Sequence, residues 1–357
     1  MTATSAIAMI SEHESINGGP EQSGPAALLE MIGANWTTKV IAVAAELRIA
    51  DHLAGGPLKI EALAAATECH ASSLQRLLRA LASLDLCTEQ DDGAYALTPF
   101  GALLRADAEQ AVNSWAIWWG KYHWPTWSNL LHSVKTGESA REAATGQQGY
   151  AHVANDEHAA AVFNRAMVEV SRLISGKVVR AIDFPKRSHV IDVGGGHGML
   201  LSAILNAHPN ARGTLFDLPH ALEGAATLMR ETGVASRAVV ASGDFFESVP
   251  AGGDVYLLKS ILHNWDDAKC ALILRSCRFA MQAHAKLVLV ERVMPARMRA
   301  NKLNQAVARA DLNMLVGLGG RERTADEFIA LLAAEGFTLT RIVPADLEFS
   351  VIEARLT

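Results

Sequence analysis

Cysteine is scarce in this chain. Cys69, Cys87, Cys270 and Cys277 are the only four among 357 residues, and no two stand in a C-x-x-C spacing. That argues against a disulfide framework or a cysteine zinc site and suits the reduced thiols of a cytoplasmic protein. Long apolar runs are lacking as well: none approaches the roughly 18 residues that a spanning helix needs, so no membrane partner is expected. Positive charge is not in excess. With 32 Lys and Arg against 38 Asp and Glu, the net charge is −6, which argues against nucleic acid as a partner. There is no H-E-x-x-H and no tight His/Cys/Asp group, so no metal is expected. Ser260 lacks the G-x-S-x-G elbow of a hydrolase. No Lys-Ser/Thr pair follows the glycine-rich loop at 194–198, which excludes a P-loop.

Half of the residues are hydrophobic, enough to fill a core, and the length suits about two domains. Residues 1–25 hold Glu12, Glu14, Glu21 and several Gly and Pro but no basic residue. They suggest a mobile tail, not a signal peptide. Residues 26–107 form an Ala/Leu-rich helical unit. The pattern predicts one helix over 60–66 and a second capped by Ser72, with Leu74, Leu77, Leu78, Leu81 and Leu84 at spacings of three and four. A turn at Gly93 and a strand over 95–97 ended by Pro99 complete a winged-helix outline. Its second helix carries Arg76 and Arg79. A recognition helix would add a cluster of basic and amide side chains, so a DNA-binding regulator is the weaker reading and a packing or dimerisation unit the stronger.

Residues 108–184 are expected to be a helical connector. Trp115, Trp118, Trp119, Trp124 and Trp127 crowd there, the first three on one predicted helix face. They suit core or dimer packing, or an apolar wall for a flat aromatic ligand with Tyr122 and His123 as polar handles. Phe163 and Met167 face the same choice. From 185 onward the period changes. Strands are predicted over 189–193, 213–216, 237–241, 254–258 and 286–290, with helices over 199–207, 220–232 and 266–282. This alternation predicts a parallel sheet covered on both faces, an α/β domain over 185–357 joined near Asp183-Phe184-Pro185.

The loop Gly194-Gly195-Gly196-His197-Gly198 follows the first of these strands and opens a helix, where a backbone must pass close to a ligand. It fits the dinucleotide fingerprint poorly, because Met199 holds the place of the last small residue. Asp217, at the end of the second strand, can accept both hydroxyls of a ribose; as a structural residue it would cap the helix that Pro219 opens. No basic residue lies in the loop to meet a pyrophosphate. A nucleoside cofactor without phosphates fits best, and S-adenosylmethionine is one, with Asp192 serving its cationic amino group. Asp244, at the end of the third strand, can accept from an adenine amino group, and Phe245 can pack on the ring.

These motifs resemble the plant-type small-molecule O-methyltransferases, the caffeic acid and acetylserotonin kind, in their bacterial natural-product branch. The matching words are VIDVGGGHG (190–198), FDLPH (216–220), GDFFESVPAGGDVYLLKSILHNWDD (243–267), LVLVERVMP (287–295) and DLNMLVGLGGRERTADEF (311–328). They follow the family's order; the N-terminal region matches its dimerisation domain more loosely. The resemblance implies a Rossmann-like class I methyltransferase domain behind an N-terminal α-helical winged-helix dimerisation domain, in a homodimer. It implies S-adenosylmethionine as cofactor, S-adenosylhomocysteine as product and a small aromatic substrate. The candidate cofactor residues are Asp192, Gly194, Gly196, Asp217, Leu218, Gly243, Asp244, Phe245 and Lys259. His263 falls on the family's general base, and Glu291 and Glu322 on the acids that orient it. Asn313 and Met314 match a segment that faces the acceptor, and Trp115, Trp119, His123, Phe163 and Met167 join them by pattern. Asn264 stands where the family often has Asp, which removes one negative charge beside the base.

Independent chemistry supports this trio. A phenol, with pKa near 10, is a poor nucleophile at neutral pH. A histidine is available there as a neutral base, and a carboxylate on its other nitrogen fixes the tautomer and stabilises the imidazolium. As structural residues, His263 would pack at a helix start beneath Trp265, and Glu322 would be a surface charge between Arg321 and Arg323. The same fold and cofactor also suit C- or N-methylation, decarboxylation or hydroxylation, but these chemistries have less need of the base.

Overall fold

The computed structural model describes residues 24–147, 156–185 and 187–357. The expected tail lies outside them except for Gly24 and Pro25. The described residues divide into two compact units: 24–128 with 156–170, and 129–147 with the remainder from Ser171 to Thr357.

The first unit opens with the helix Pro25–Glu46, which has proline at its first turn, where a missing N–H costs nothing. Short helices Ile49–Leu53, Ile60–Ala66 and Ala71–Ser83 follow. Strands β1 (Leu58–Lys59), β2 (Cys87–Glu89) and β3 (Ala94–Leu97) pair antiparallel in the order β1-β3-β2. Leu74, Leu78 and Leu81 turn one face of the Ala71–Ser83 helix onto a core with Leu53, Leu63 and Tyr95. Arg76 and Arg79 are exposed, Arg79 lying 3.8 Å from Glu89. Ser72 is not the cap. The helix begins two residues earlier than such a cap implies, so its cap position falls on His70, whose carbonyl accepts from the Leu74 amide at 2.9 Å.

The tryptophan face is not one α-helical stripe. The helix Asn113–Ile117 passes into a π-helical turn, Trp118–Tyr122, before the short helix Trp124–Trp127. Gly120 in that turn lets the first helix come close, since a Cβ there would meet the Ala42 Cβ at 2.1 Å. Trp118 packs on Phe163 at 4.9 Å, whereas Trp115 and Trp119 meet edge to face at 5.5 Å. Both carboxylate oxygens of Glu169 accept from the amides of Ser114 and Trp115, capping this helix.

The second unit is built on an eight-stranded sheet: β4 (His189–Val193), β5 (Arg212–Asp217), β6 (Ala238–Ser242), β7 (Val255–Lys259), β8 (Lys286–Met294), the short β9 (Arg323–Thr324), β10 (Phe337–Pro344) and β11 (Phe349–Leu356). The order is β10-β11-β8-β7-β4-β5-β6, and β9 pairs with the end of β8. The middle strands β8 to β6 are parallel as expected. The sheet as a whole is mixed, because a C-terminal hairpin adds β11 and β10 antiparallel beside β8. Val190, Ile191, Val255, Leu257, Leu287 and Leu289 have no exposed surface, as strands covered on both faces require. The helix expected over 220–232 is broken: a 3-10 turn, Pro219–Leu222, is parted from the helix Ala225–Glu231 by Gly224 at φ 88°. Asp266 caps the helix Asp267–Ala280 by accepting from the Lys269 amide.

Candidate active site

Five neighbouring parallel strands end on one edge of the sheet, and most of the candidate residues of this unit lie at those ends. The strand order reverses direction at β4, which has β5 on one side and β7 on the other; ligands of such sheets bind beyond the strands' carboxyl ends at this switch point. Asp192 in β4 is 2 % exposed, and its Oδ2 has no hydrogen-bond partner. Burial pushes its pKa up to about 7, although Lys259 pulls it down; nearby Asp217 adds to the rise. Lys259, at the end of β7, is pushed down to about 8 by burial against the pull of Glu291 and Asp192. Gly194, Gly196 and Gly198 all have positive φ. A side chain at Gly194 would come within 2.4 Å of Ile261 Cδ1, so the loop keeps a bare backbone.

Asp217 is engaged with this loop. Its Oδ2 accepts from the Gly196 amide at 2.8 Å and its Oδ1 from the Leu218 amide at 2.7 Å. It does not cap the Pro219 turn, whose cap position is Leu218. Burial raises the Asp217 pKa, and the two amides oppose the rise. At the end of β6, Gly243 donates to the Asp217 carbonyl. Asp244 Oδ1 accepts from the Phe246 amide at 2.8 Å, and Phe245 packs on Phe246 at 4.9 Å.

Beyond β7 the chain turns sharply through Ser260, at φ 56°, into a 3-10 turn, Leu262–Asn264. His263 is buried there. Its Nδ1 lies 3.0 Å from Glu322 Oε1 and 3.6 Å from Glu291 Oε2. Glu291 Oε1 accepts from the amides of Ile261 and Leu262 at 2.9 and 2.8 Å, tying the turn to β8. The other oxygen of each glutamate is buried without a hydrogen bond. Burial acts to lower the His263 pKa, but Glu291 and Glu322 outweigh it and hold the value above normal; Arg292 pulls the other way. Burial raises the Glu291 pKa, with Glu322 adding to the rise and His263 opposing it. Among the described residues, these three form the one His/carboxylate group compact enough to share a cation. Positive charge is already supplied by Arg292, whose guanidinium is 3.6 Å from Glu322.

An O-methyltransferase domain matches residues 127–338, and an O-methyltransferase dimerisation domain matches 29–107. The chain belongs to the S-adenosylmethionine-dependent O-methyltransferase family. The enzyme is 44 % identical to a phenazine O-methyltransferase of Lysobacter antibioticus over 92 % of this chain and 95 % of that protein. The crystal structure of LaPhzM superposes with a TM-score of 0.89 at 44 % identity, covering 93 % and 99 % of the two chains. NcsB1, an O-methyltransferase of neocarzinostatin biosynthesis solved with S-adenosylmethionine and 2-hydroxy-5-methyl naphthoic acid, gives 0.76 at 33 % identity over 90 % and 96 %. The matched relatives also include N-methyltransferases.

The candidate residues of this enzyme fall in both compact units. Trp115, Trp119, His123, Phe163 and Met167 belong to the first unit, where His123 is 3 % exposed and meets Trp119 at 5.0 Å between ring centres. Asn313 and Met314 belong to the second, on the helix Lys302–Leu318 that packs against the His263 turn. The expectation that Glu322 could be a surface charge between two arginines fails. Glu322 is 4 % exposed and Arg323 only 1 %. Arg323 donates to the carbonyls of Leu262 and Trp265 and pairs with Asp267 at 2.7 Å. Sequence reasoning missed Arg323, Arg292, Asp311, which accepts from the Glu322 amide, and Gly320. Gly320 has a recoverable signal, lying in a Gly-Gly pair just before Glu322 in a matched motif.

Proposed function

We propose that the enzyme transfers the methyl group of S-adenosylmethionine to a phenolic hydroxyl of an aromatic natural product, with His263 as general base, and that it acts as a homodimer. The observation that carries this reading is the buried His263 with its Nδ1 held by Glu322. That bond assigns the Nδ1 proton and leaves Nε2 as the basic atom. Glu291 holds the turn that presents the ring, so the base is set on backbone and not on a mobile loop.

The residues at the strand ends fit the cofactor. Asp192 Oδ2 is a buried acceptor without a donor, suited to a cationic amino group, and the glycine loop gives a cradle that a Cβ would fill. Asp217, Leu218, Gly243, Asp244, Phe245 and Lys259 complete the set proposed to hold it. The cofactor supplies an electrophilic methyl on sulfur. His263 takes the hydroxyl proton as the oxygen becomes nucleophilic, and Glu322 and Glu291 stabilise the resulting imidazolium. Such a base contributes about 10²–10⁴-fold. Nitrogen acceptors, whose lone pair is already available, have less need of it. The acceptor-contact roles of Trp115, Trp119, His123, Phe163, Met167, Asn313 and Met314 are part of this proposal. The matched dimerisation domain supports the homodimer, and so does the first helix, where Leu28, Leu29, Met31, Ile32 and Trp36 are exposed.

The test is incubation with methyl-labelled S-adenosylmethionine and a panel of phenazine, naphthoate and simple phenols. Label should appear on oxygen, and His263→Ala should bind the cofactor normally and lose about 10²-fold or more in turnover. Turnover within a few-fold of wild type would remove His263 as the base.

A further inference from the structure

The surroundings of His263 pose a charge problem. Two carboxylates face Nδ1, at 3.0 and 3.6 Å, and both favour the imidazolium. A histidine held permanently protonated cannot accept a proton, so a base in this position needs a compensating positive charge. Arg292, next to Glu291 on β8, provides one. Its NH1 lies 3.6 Å from Glu322 Oε1, the same oxygen that faces His263.

Arg292 is itself held by the C-terminal hairpin. Phe349 pairs with Arg292 in the β8–β11 register, and the guanidinium lies 4.2 Å from the centre of the Phe349 ring, a cation–π contact. Glu348 approaches Arg292 Nε at 3.8 Å. Leu347 and Glu348 both adopt positive φ, at 46° and 66°. This uncommon backbone for residues other than glycine turns the chain tightly before Phe349. Lys259 Nζ also lies near this ring, 5.9 Å from its centre.

We propose that Arg292, seated by the hairpin tip Leu347–Phe349, is a positioning residue for methyl transfer: it holds the Glu322 carboxylate on His263 and keeps the imidazole neutral enough to act as base. This rests on the general-base reading above. The charged groups around the pair come from every element packed there. Glu291 and Arg292 come from β8, Glu322 and Arg323 from the segment entering and forming β9, and Lys259 from β7. Asp311 comes from the helix Lys302–Leu318, and Glu348 from the hairpin. Among the described residues, Arg292 is the cation paired directly with a carboxylate that touches His263, since Arg323 pairs with Asp267.

The test is a titration of His263 in isotope-labelled enzyme by NMR, with its resonance identified by its loss in His263→Ala, alongside the pH profile of kcat. In Arg292→Gln the His263 midpoint and the acidic limb of kcat should both move to higher pH by about one unit, the effect of one nearby charge on a buried group. Cofactor affinity should stay within about three-fold, and Arg292→Lys should restore most of the limb. Glu348→Gln, made at the hairpin tip, should move the midpoint the opposite way, to lower pH, because it leaves the guanidinium charge uncompensated; it carries the test if Arg292→Gln does not fold. A His263 midpoint unmoved in whichever of these variants fold would overturn the proposal, even if kcat or stability fell. If the midpoint moves but His263→Ala retains turnover, the general-base reading fails and the electrostatic role of Arg292 stands.

Discussion

At the scale of single residues, the site concentrates ionisable groups whose burial is only partly compensated. Asp192 is the sharpest case. Its pKa is pushed from 3.8 to about 7 in the folded protein, so the folded state holds that proton more tightly than the unfolded chain does. The associated stability is complete below the unfolded value and is lost as pH rises through about 7. Asparagine cannot ionise. Asp192→Asn should therefore make the cofactor-free enzyme more stable than wild type near pH 8, by up to about 4 kcal/mol at about 1.4 kcal/mol per unit of displacement, and the gain should shrink toward pH 4. The same variant should bind S-adenosylmethionine more weakly. Urea unfolding at the two pH values, with calorimetric titration of the cofactor, measures both. Equal stabilities at high pH would show that Asp192 is not held at a cost.

At the scale of elements, the placement of His263 depends on a clamp between two segments distant in sequence. The Arg321 amide donates to the His263 carbonyl at 2.9 Å, and Arg323 donates to the carbonyls of Leu262 and Trp265. Gly320 permits this approach. A Cβ there would stand 2.1 Å from the His263 carbonyl oxygen and 2.5 Å from the Asn264 carbonyl carbon, and backbone cannot yield as a flexible side chain can. Gly320→Ala should cost about 1–3 kcal/mol of stability by overpacking. It should also lower kcat far more than it weakens cofactor binding, because it moves Glu322 from His263 and leaves the glycine loop alone. Thermal unfolding and steady-state rates test this; an unchanged kcat would show that the clamp does not position His263 for turnover. Two elements departed from expectation, each at a glycine. The helix expected over 220–232 breaks at Gly224, whose left-handed backbone hydrophobic spacing does not reveal. The tryptophan helix widens into a π turn where Gly120 meets Ala42, a contact made with a segment far away in the chain.

At the scale of the whole molecule, an exposed apolar helix needs a partner. Leu29 is 67 % and Trp36 73 % exposed on the helix Pro25–Glu46, in a region that matches a dimerisation domain. If this face joins two copies, Leu29→Glu with Trp36→Glu should convert the dimer to a monomer in sedimentation at micromolar concentration, since buried unpaired charge is strongly unfavourable. A dimer that persists through both changes would place the interface elsewhere.

The sequence by itself determined the enzyme's family and the ordered motifs that carry it. It also determined the strand that leads into the glycine loop and the helix behind that loop, whereas His263, Glu291 and Glu322 were legible through their match to the family's motifs. The strand and the loop are local features: a run of β-branched residues and a string of glycines. Tertiary structure alone decided which groups surround that trio. Arg292 reaches Glu322 while the C-terminal hairpin, unforeseen in the sequence, stacks Phe349 against it. Arg323 is buried because the segment 320–324 folds back onto the His263 turn, although beside Arg321 it had the pattern of a solvated charge. Periodicity records which face of an element is buried, but not which distant element covers it, and in this protein the covering elements set the charge around His263.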